Sequence, residues 1–245
     1  MEHILPYFAR YYQGAPFVLF GPHHLAVLGL VVLVILAWLP LRNRLGPGTR
    51  RAIRITLVIL LVCGEASWHI WMLATGQWII QIMLPLWLCS LAIWLSPLML
   101  IQRRQFFYEF LYFMGILGGT MALLTPDLGI YGFPHYRFIE FLLVHGALVA
   151  APIYMTIVEG FRPTWGSLGR VALVMLPYLA FVTWVNFRIG SNYLYTAGKL
   201  PTPSLLDLLS PWPYYIPEMI ALAVLFCGLL YLPFAIGDAR HAHLR

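Results

Sequence analysis

A cysteine and a histidine fall at one depth in this hydrophobic chain, a pairing of residue types that nucleophilic chemistry uses. Cys89 sits inside LPLWLCSLAIWLSP and His145 inside RFIEFLLVHGALVAAPIY. Glu65 and His69 share CGEASWHIW, Asn186 follows TWV, and Glu218 lies in YYIPEMIALAV. A polar or ionisable group inside hydrocarbon costs roughly 2.5–3.5 kcal/mol on insertion scales, so each of these six calls for a reason. A thiol attacks a carbonyl only as thiolate, and a nearby imidazole can take its proton. Glu65 and His69 are i and i+4, on one helical face, where a carboxylate can orient a ring or share a proton. Glu140 and His145 stand five apart, about 140° around a helix, and do not form such a pair.

The elements that must hold these residues are apolar spans. Hydrophobic residues make up 61% of the 245 and charged residues only 10%, against about 25% charge in a soluble domain. Crossing ~30 Å takes about 20 residues. Such runs fall at 22–41, 53–75, 81–101, 106–124, 137–158, 169–190 and 213–236. The expectation is an all-α polytopic membrane protein, a single domain of seven transmembrane helices over residues 1–245. The arginines set its orientation. Arg42, Arg44, Arg50, Arg51, Arg54, Arg103, Arg104, Arg162, Arg170, Arg240 and Arg245 fall on one side, against Arg10, Arg137, Arg188 and Lys199 on the other. Short basic loops mark the cytoplasmic face, which puts the N-terminus outside and the C-terminus in the cytoplasm.

Measured from outside at about 1.5 Å per residue, the six polar residues lie roughly 5–15 Å deep. They line up in the outer half as a buried polar chamber. Pro85, four residues before Cys89, frees the carbonyl of Gln81 and bends its helix, and Pro97 does the same to Ile93. Residues 1–21 read as an interfacial segment with Tyr7, Tyr11 and Tyr12 at headgroup level. They lack the basic start of a cleavable signal. The long connection 190–212 reads as an outer loop or lid.

Several classes fall away. The net charge of +6 is a topology signal and not a nucleic-acid patch. Cys63, Cys89 and Cys227 all lie in spans, which argues against a disulfide framework. The lone lysine, Lys199, is in a loop, so no retinal Schiff base forms. Two histidines can ligate a haem, and His24, His69 and His145 can together hold Zn²⁺, although no local spacing supports either. No metal and no cofactor is expected. Asn186 and Glu218 read equally as hydrogen-bond glue between helices, and Cys63 and Cys227 as packing. A transporter or lipid-binding protein with a polar cavity is the alternative to an enzyme, with a metal-dependent hydrolase behind it.

At LPLWLCSLAIWLSP, HYRFIEFLLVHGALVAAPIY and NFRIGSNYLYTAGKLPTPSLLDLLSPWPYYI the chain resembles the YwaF-type integral membrane proteins. That family is similar to a vertebrate transmembrane cysteine acyltransferase that places polyunsaturated acyl chains in ether phospholipids. The resemblance runs from GPHHL at 21–25 to about Tyr231. It implies a seven-helix fold, an acyl-accepting Cys at Cys89 in LCS, and an assisting His at His145 in VHG, 56 residues on. It also draws attention to Asn192 and Tyr193 in GSNY and Asp207 in LLD as structural or mouth residues. The expected activity is phospholipid acyl transfer through a thioester, in a bacterial plasma membrane, with membrane phospholipids as acyl donor and acceptor. His145 serves as base, Glu65, His69, His24 and Glu218 as supporting residues, and Asn186 as an oxyanion donor.

Overall fold

A computed structural model describes residues 5–199 and 205–243. Residues 1–4 of the expected interfacial segment, 200–204 of the 190–212 connection, and Arg245 lie outside the described residues. Within them the regular elements are α1 (Pro22–Leu41), α2 (Pro47–Ala74), α3 (Ile80–Met83), α4 (Leu88–Gln102), α5 (Gln105–Phe110), α6 (Ile116–Leu124), α7 (Tyr136–Ile157), α8 (Trp165–Ile189) and α9 (Tyr215–His243), with short 3₁₀ turns. A π turn, Leu111–Gly115, joins α5 to α6 into one helix. Six helices are long and apolar enough to cross a membrane, namely α1, α2, α5–α6, α7, α8 and α9, while α4 is an apolar helix of 15 residues.

Two helices start earlier than their apolar runs. Pro47 at the first turn of α2 has the φ a helix needs and lacks only a hydrogen that would be unpaired there. Thr164 and Ser167 form a reciprocal capping box that opens α8, with Thr164 N–H donating to Ser167 Oγ at 2.8 Å. α8 ends on Gly190 at φ +66°, a left-handed cap that glycine adopts without strain.

The expected third span is the exception. Pro85 does more than bend it, since residues 84–87 are non-helical and α3 is parted from α4. Tyr193 seals the break with one hydroxyl, which accepts from Leu84 N–H at 2.8 Å and donates to Ile80 O at 2.5 Å. Trp87 Nε1–H donates to Ile82 O at 2.9 Å, and Tyr178 donates to Leu86 O at 3.0 Å. Irregular backbone at membrane depth is tolerable because protein groups satisfy it.

The chain packs as two compact units. One comprises Met1–Trp78 and Cys89–Phe161, the other Ile79–Leu88 and Arg162–Arg245. In the first, α7 is the hub, packed by α1, α2 and α6. Leu123, Leu128, Phe138, Phe141, Leu142 and Val149 form its core. The end where α1 and α7 finish and α2 begins is tied by arginine. Arg50 donates to Leu45 O (3.0 Å), Arg42 O (2.8 Å) and Val158 O (2.7 Å). Glu159, its side chain 2% exposed, pairs with Arg54 and with Arg103 at 2.6 Å. In the second unit α8 packs against α3 and α9.

Candidate functional site

The site is built where α2 crosses α7. A β-carbon on Gly64 would sit 2.2 Å from Val144 Cγ2, so only glycine lets the two backbones approach this closely. Ser67 Oγ and Tyr136 OH lie 2.7 Å apart, and the Arg137 guanidinium stacks 3.6 Å from the Trp68 ring centroid. These contacts set the register, and they put Glu65, beside Gly64, at the level of His145, beside Val144. α4 joins through its first turn. Ser90 and Cys89 in that turn lie within electrostatic reach of the Glu65 carboxylate, and Cys89 is partly buried. Arg137 acts electrostatically on both Glu65 and His145.

Hydrogen-bond partners fix the ring states. Trp78 Nε1–H donates to His69 Nδ1 at 3.1 Å, so the proton of neutral His69 is on Nε2, which faces Glu65 Oε1 across 3.9 Å. His145 Nδ1 lies 2.8 Å from the Phe141 carbonyl, which can only accept, and its ring stacks on Phe141 at 4.1 Å. The Nε2 lone pair of His145 is thereby left for an incoming proton. No hydrogen bond joins the Cys89 thiol to His145. Arg137 forms an ion pair with Glu140 one turn along α7.

The other expected residues have different surroundings. His24 receives Phe20 N–H at Nδ1 (3.0 Å) and lies 2.8 Å through Nε2 from Leu123 O, so both ring nitrogens are spent clasping α1 to α6. Asn186, Asn192 and Glu218 belong to the second unit. Asn186 Nδ2 donates to Tyr193 O and Thr196 Oγ1, and its Oδ1 accepts from Ser191 Oγ and Tyr193 N–H. No amide hydrogen remains for an oxyanion, which corrects the role expected of it. Asn192 donates to Gly198 O and accepts from Ala197 N–H. The Glu218 carboxylate accepts from the backbone N–H (2.9 Å) and hydroxyl (2.5 Å) of Ser210. The described parts of the 190–212 connection are therefore pinned at both stems. Cys63 is exposed and Cys227 buried. Among the described residues no three His, Cys, Asp or Glu side chains are arranged to hold a metal ion. His24, His69 and His145 are not gathered as a ligand set.

Sequence reasoning passed over Ser90, Trp78 and Arg137. Ser90 had a signal, a hydroxyl beside the candidate thiol. Trp78, nine residues after His69 and beyond the end of α2, had none, because only the chain's return brings it back onto the ring.

Six membrane-length helices among the described residues, with a buried carboxylate facing an imidazole across 3.9 Å on α2, define a multi-pass membrane protein. The model of the TMEM164 family matches residues 19–231, and the chain belongs to that family. It is also 28% identical over 228 residues to an uncharacterized protein of Treponema pallidum (strain Nichols), covering 89% of this chain and 90% of that protein. No solved structure matches.

Proposed function

We propose that the protein is a membrane phospholipid acyltransferase or transacylase that carries the acyl chain as a thioester on Cys89. The Cys89 sulfur attacks the carbonyl carbon of a phospholipid ester. The C–S bond forms, the C–O bond breaks, and the alkoxide of the lysolipid leaves with the thiol's proton. A lipid hydroxyl or water then attacks the thioester while His145 Nε2 takes its proton. The C–S bond breaks and the proton returns to sulfur. The observation that supports this reading is the first turn of α4, where Cys89 lies within electrostatic reach of Glu65, in the unit whose α2–α7 crossing carries Glu65 and His145 on adjoining helices.

We take the chain to cross the membrane seven times, N-terminus outside, in a bacterial plasma membrane. Support for counting α4 as the third crossing comes from Arg103 at its C-terminal end. That arginine meets Glu159, at the same end of the unit as the close of α1 and α7. At about 22 Å α4 is shorter than a ~30 Å hydrocarbon core. The test is intact mass of the purified protein after incubation with phospholipid. An acyl adduct is expected on the native chain and is absent from Cys89→Ala. Lipid turnover that survives Cys89→Ala sinks the thioester, whereas neither adduct nor turnover on the native chain favours a lipid-binding or transport role.

A further inference from the structure

The arginines gathered where α1 and α7 finish divide into two sets. Three are spent inside the protein. Arg50 donates to the carbonyls of Leu45, Arg42 and Val158, while Arg54 and Arg103 share the Glu159 carboxylate. These bonds draw the 42–54 segment and the 102–105 connection onto one pair of neighbours, Val158 and Glu159. Arg42, Arg44, Arg51 and Arg104 ride on the same two segments, and all four are exposed. Among the described residues none of these four side chains has a hydrogen bond or an ion pair. Glu109 is buried and the Glu159 side chain is 2% exposed, so no described carboxylate at this end of the unit offsets their charge. Each basic segment is also flanked by exposed apolar side chains, Leu41 and Ile55 on one, Ile101 and Phe106 on the other. An apolar face below a charged rim matches acyl chains below headgroups. A soluble acidic partner would match the rim alone.

We propose that Arg42, Arg44, Arg51 and Arg104 form a binding surface for the headgroups of anionic phospholipids. A guanidinium meets two phosphate oxygens at once, and its apolar stem lies along the neighbouring chains. A cluster of four basic residues just beyond the ends of membrane-length helices is enough to favour charged lipid over zwitterionic. The bonds of Arg50, Arg54 and Arg103 hold the two segments together, so the four charges are presented side by side. Neither Cys89 nor His145 belongs to this surface, and it stands apart from the acyl-transfer reading.

The test is native mass spectrometry of the full-length protein in neutral detergent, titrated with dioleoyl phosphatidylglycerol or with dioleoyl phosphatidylcholine. One arginine beside an anionic surface strengthens attraction about fivefold. The native chain is expected to bind phosphatidylglycerol at least about tenfold more tightly than phosphatidylcholine. Arg42→Gln, Arg44→Gln, Arg51→Gln and Arg104→Gln together are expected to bring the two lipids within about twofold. Arg10→Gln, next to the residue that meets the α7 N-cap at the far end of that helix, should leave the preference standing. Equal binding of both lipids to the native chain would mean that these arginines act in topology alone, and overturns the proposal. A preference that survives the quadruple variant overturns it too, as does one that Arg10→Gln abolishes. If the quadruple variant does not fold, Arg51→Gln with Arg104→Gln takes its place. A loss of at least about threefold in preference is then expected, and no loss overturns the surface. Glycerol phosphate that displaces the bound lipid at equal concentration would assign the arginines to a soluble anion, against the proposal.

Discussion

Two buried glutamates in the same unit are held in opposite ways. Glu159 is clamped by Arg54 and Arg103, and Tyr154 adds a hydroxyl at 3.4 Å. Glu65 faces the His69 imidazole across 3.9 Å and pairs with no arginine among the described residues. Cationic partners keep a carboxylate ionised and fixed, which suits a joint between helices. Neutral partners desolvate it without committing its charge, which suits a group that must gain and lose a proton. The contrast teaches that burial alone does not mark a site. The character of the partners does.

The largest way to break this contrast is at Glu159. Glu159→Ala strands Arg54, whose side chain is 15% exposed, and unties α4 and α7 from the start of α2. A loss of about 3 kcal/mol is expected from breaking such a pair, read by thermal unfolding in detergent. Stability equal to the native chain would show that the clamp is not structural. Trp78→Phe sharpens the comparison at the other glutamate. Without the indole N–H, His69 Nδ1 loses the donor that holds its ring toward Glu65. One hydrogen bond, about 1 kcal/mol, is lost from stability, a smaller loss than at Glu159 and read in the same way. Stability equal to the native chain would show that the indole does not hold the ring.

The smallest effect lies at His135, the N-cap of α7, another imidazole with both nitrogens assigned. Nδ1 accepts from Arg137 N–H at 3.0 Å, and Nε2 lies 3.1 Å from the Ala9 carbonyl. Burial holds its pKa below the usual imidazole value, against the Ala9 carbonyl, which favours the charged form. The unfolded chain thus binds the proton more readily than the folded one. The stability His135 contributes is fully present above about pH 6.5 and declines as pH falls through that value. His135→Asn, which keeps a cap acceptor, should flatten the acid side of a melting-temperature profile between pH 7.5 and 5.5. An unchanged profile would assign the acid sensitivity elsewhere.

Much of this was legible from the chain. The apolar runs locate six helices, although α2 starts and α9 ends several residues outside them, and depth groups six polar residues without saying which of them meet. Depth says nothing of azimuth, however. Which of these residues come together depends on contacts between segments far apart in sequence, such as Gly64 admitting Val144. The same limit misread Asn186. A polar residue in an apolar run looks identical whether it serves a ligand or its own C-terminal loop, and the Gly190–Ser191 pair just after it was the clue to the loop. Pro85 announced a disturbance, but the depth of the break was set by Tyr193 and Tyr178, which make an open backbone tolerable.

Arg50 has a consequence in time. Its guanidinium holds carbonyls at the close of α1 and, 108 residues further along, that of Val158 just past α7. At roughly 5–20 residues per second of synthesis, the first helix therefore waits on the order of ten seconds, with its inner end unfinished, for the helix that completes it. Packing at this end of the first unit is complete only when α7 has been made, and a chain that stops before Val158 leaves Arg50 without that carbonyl.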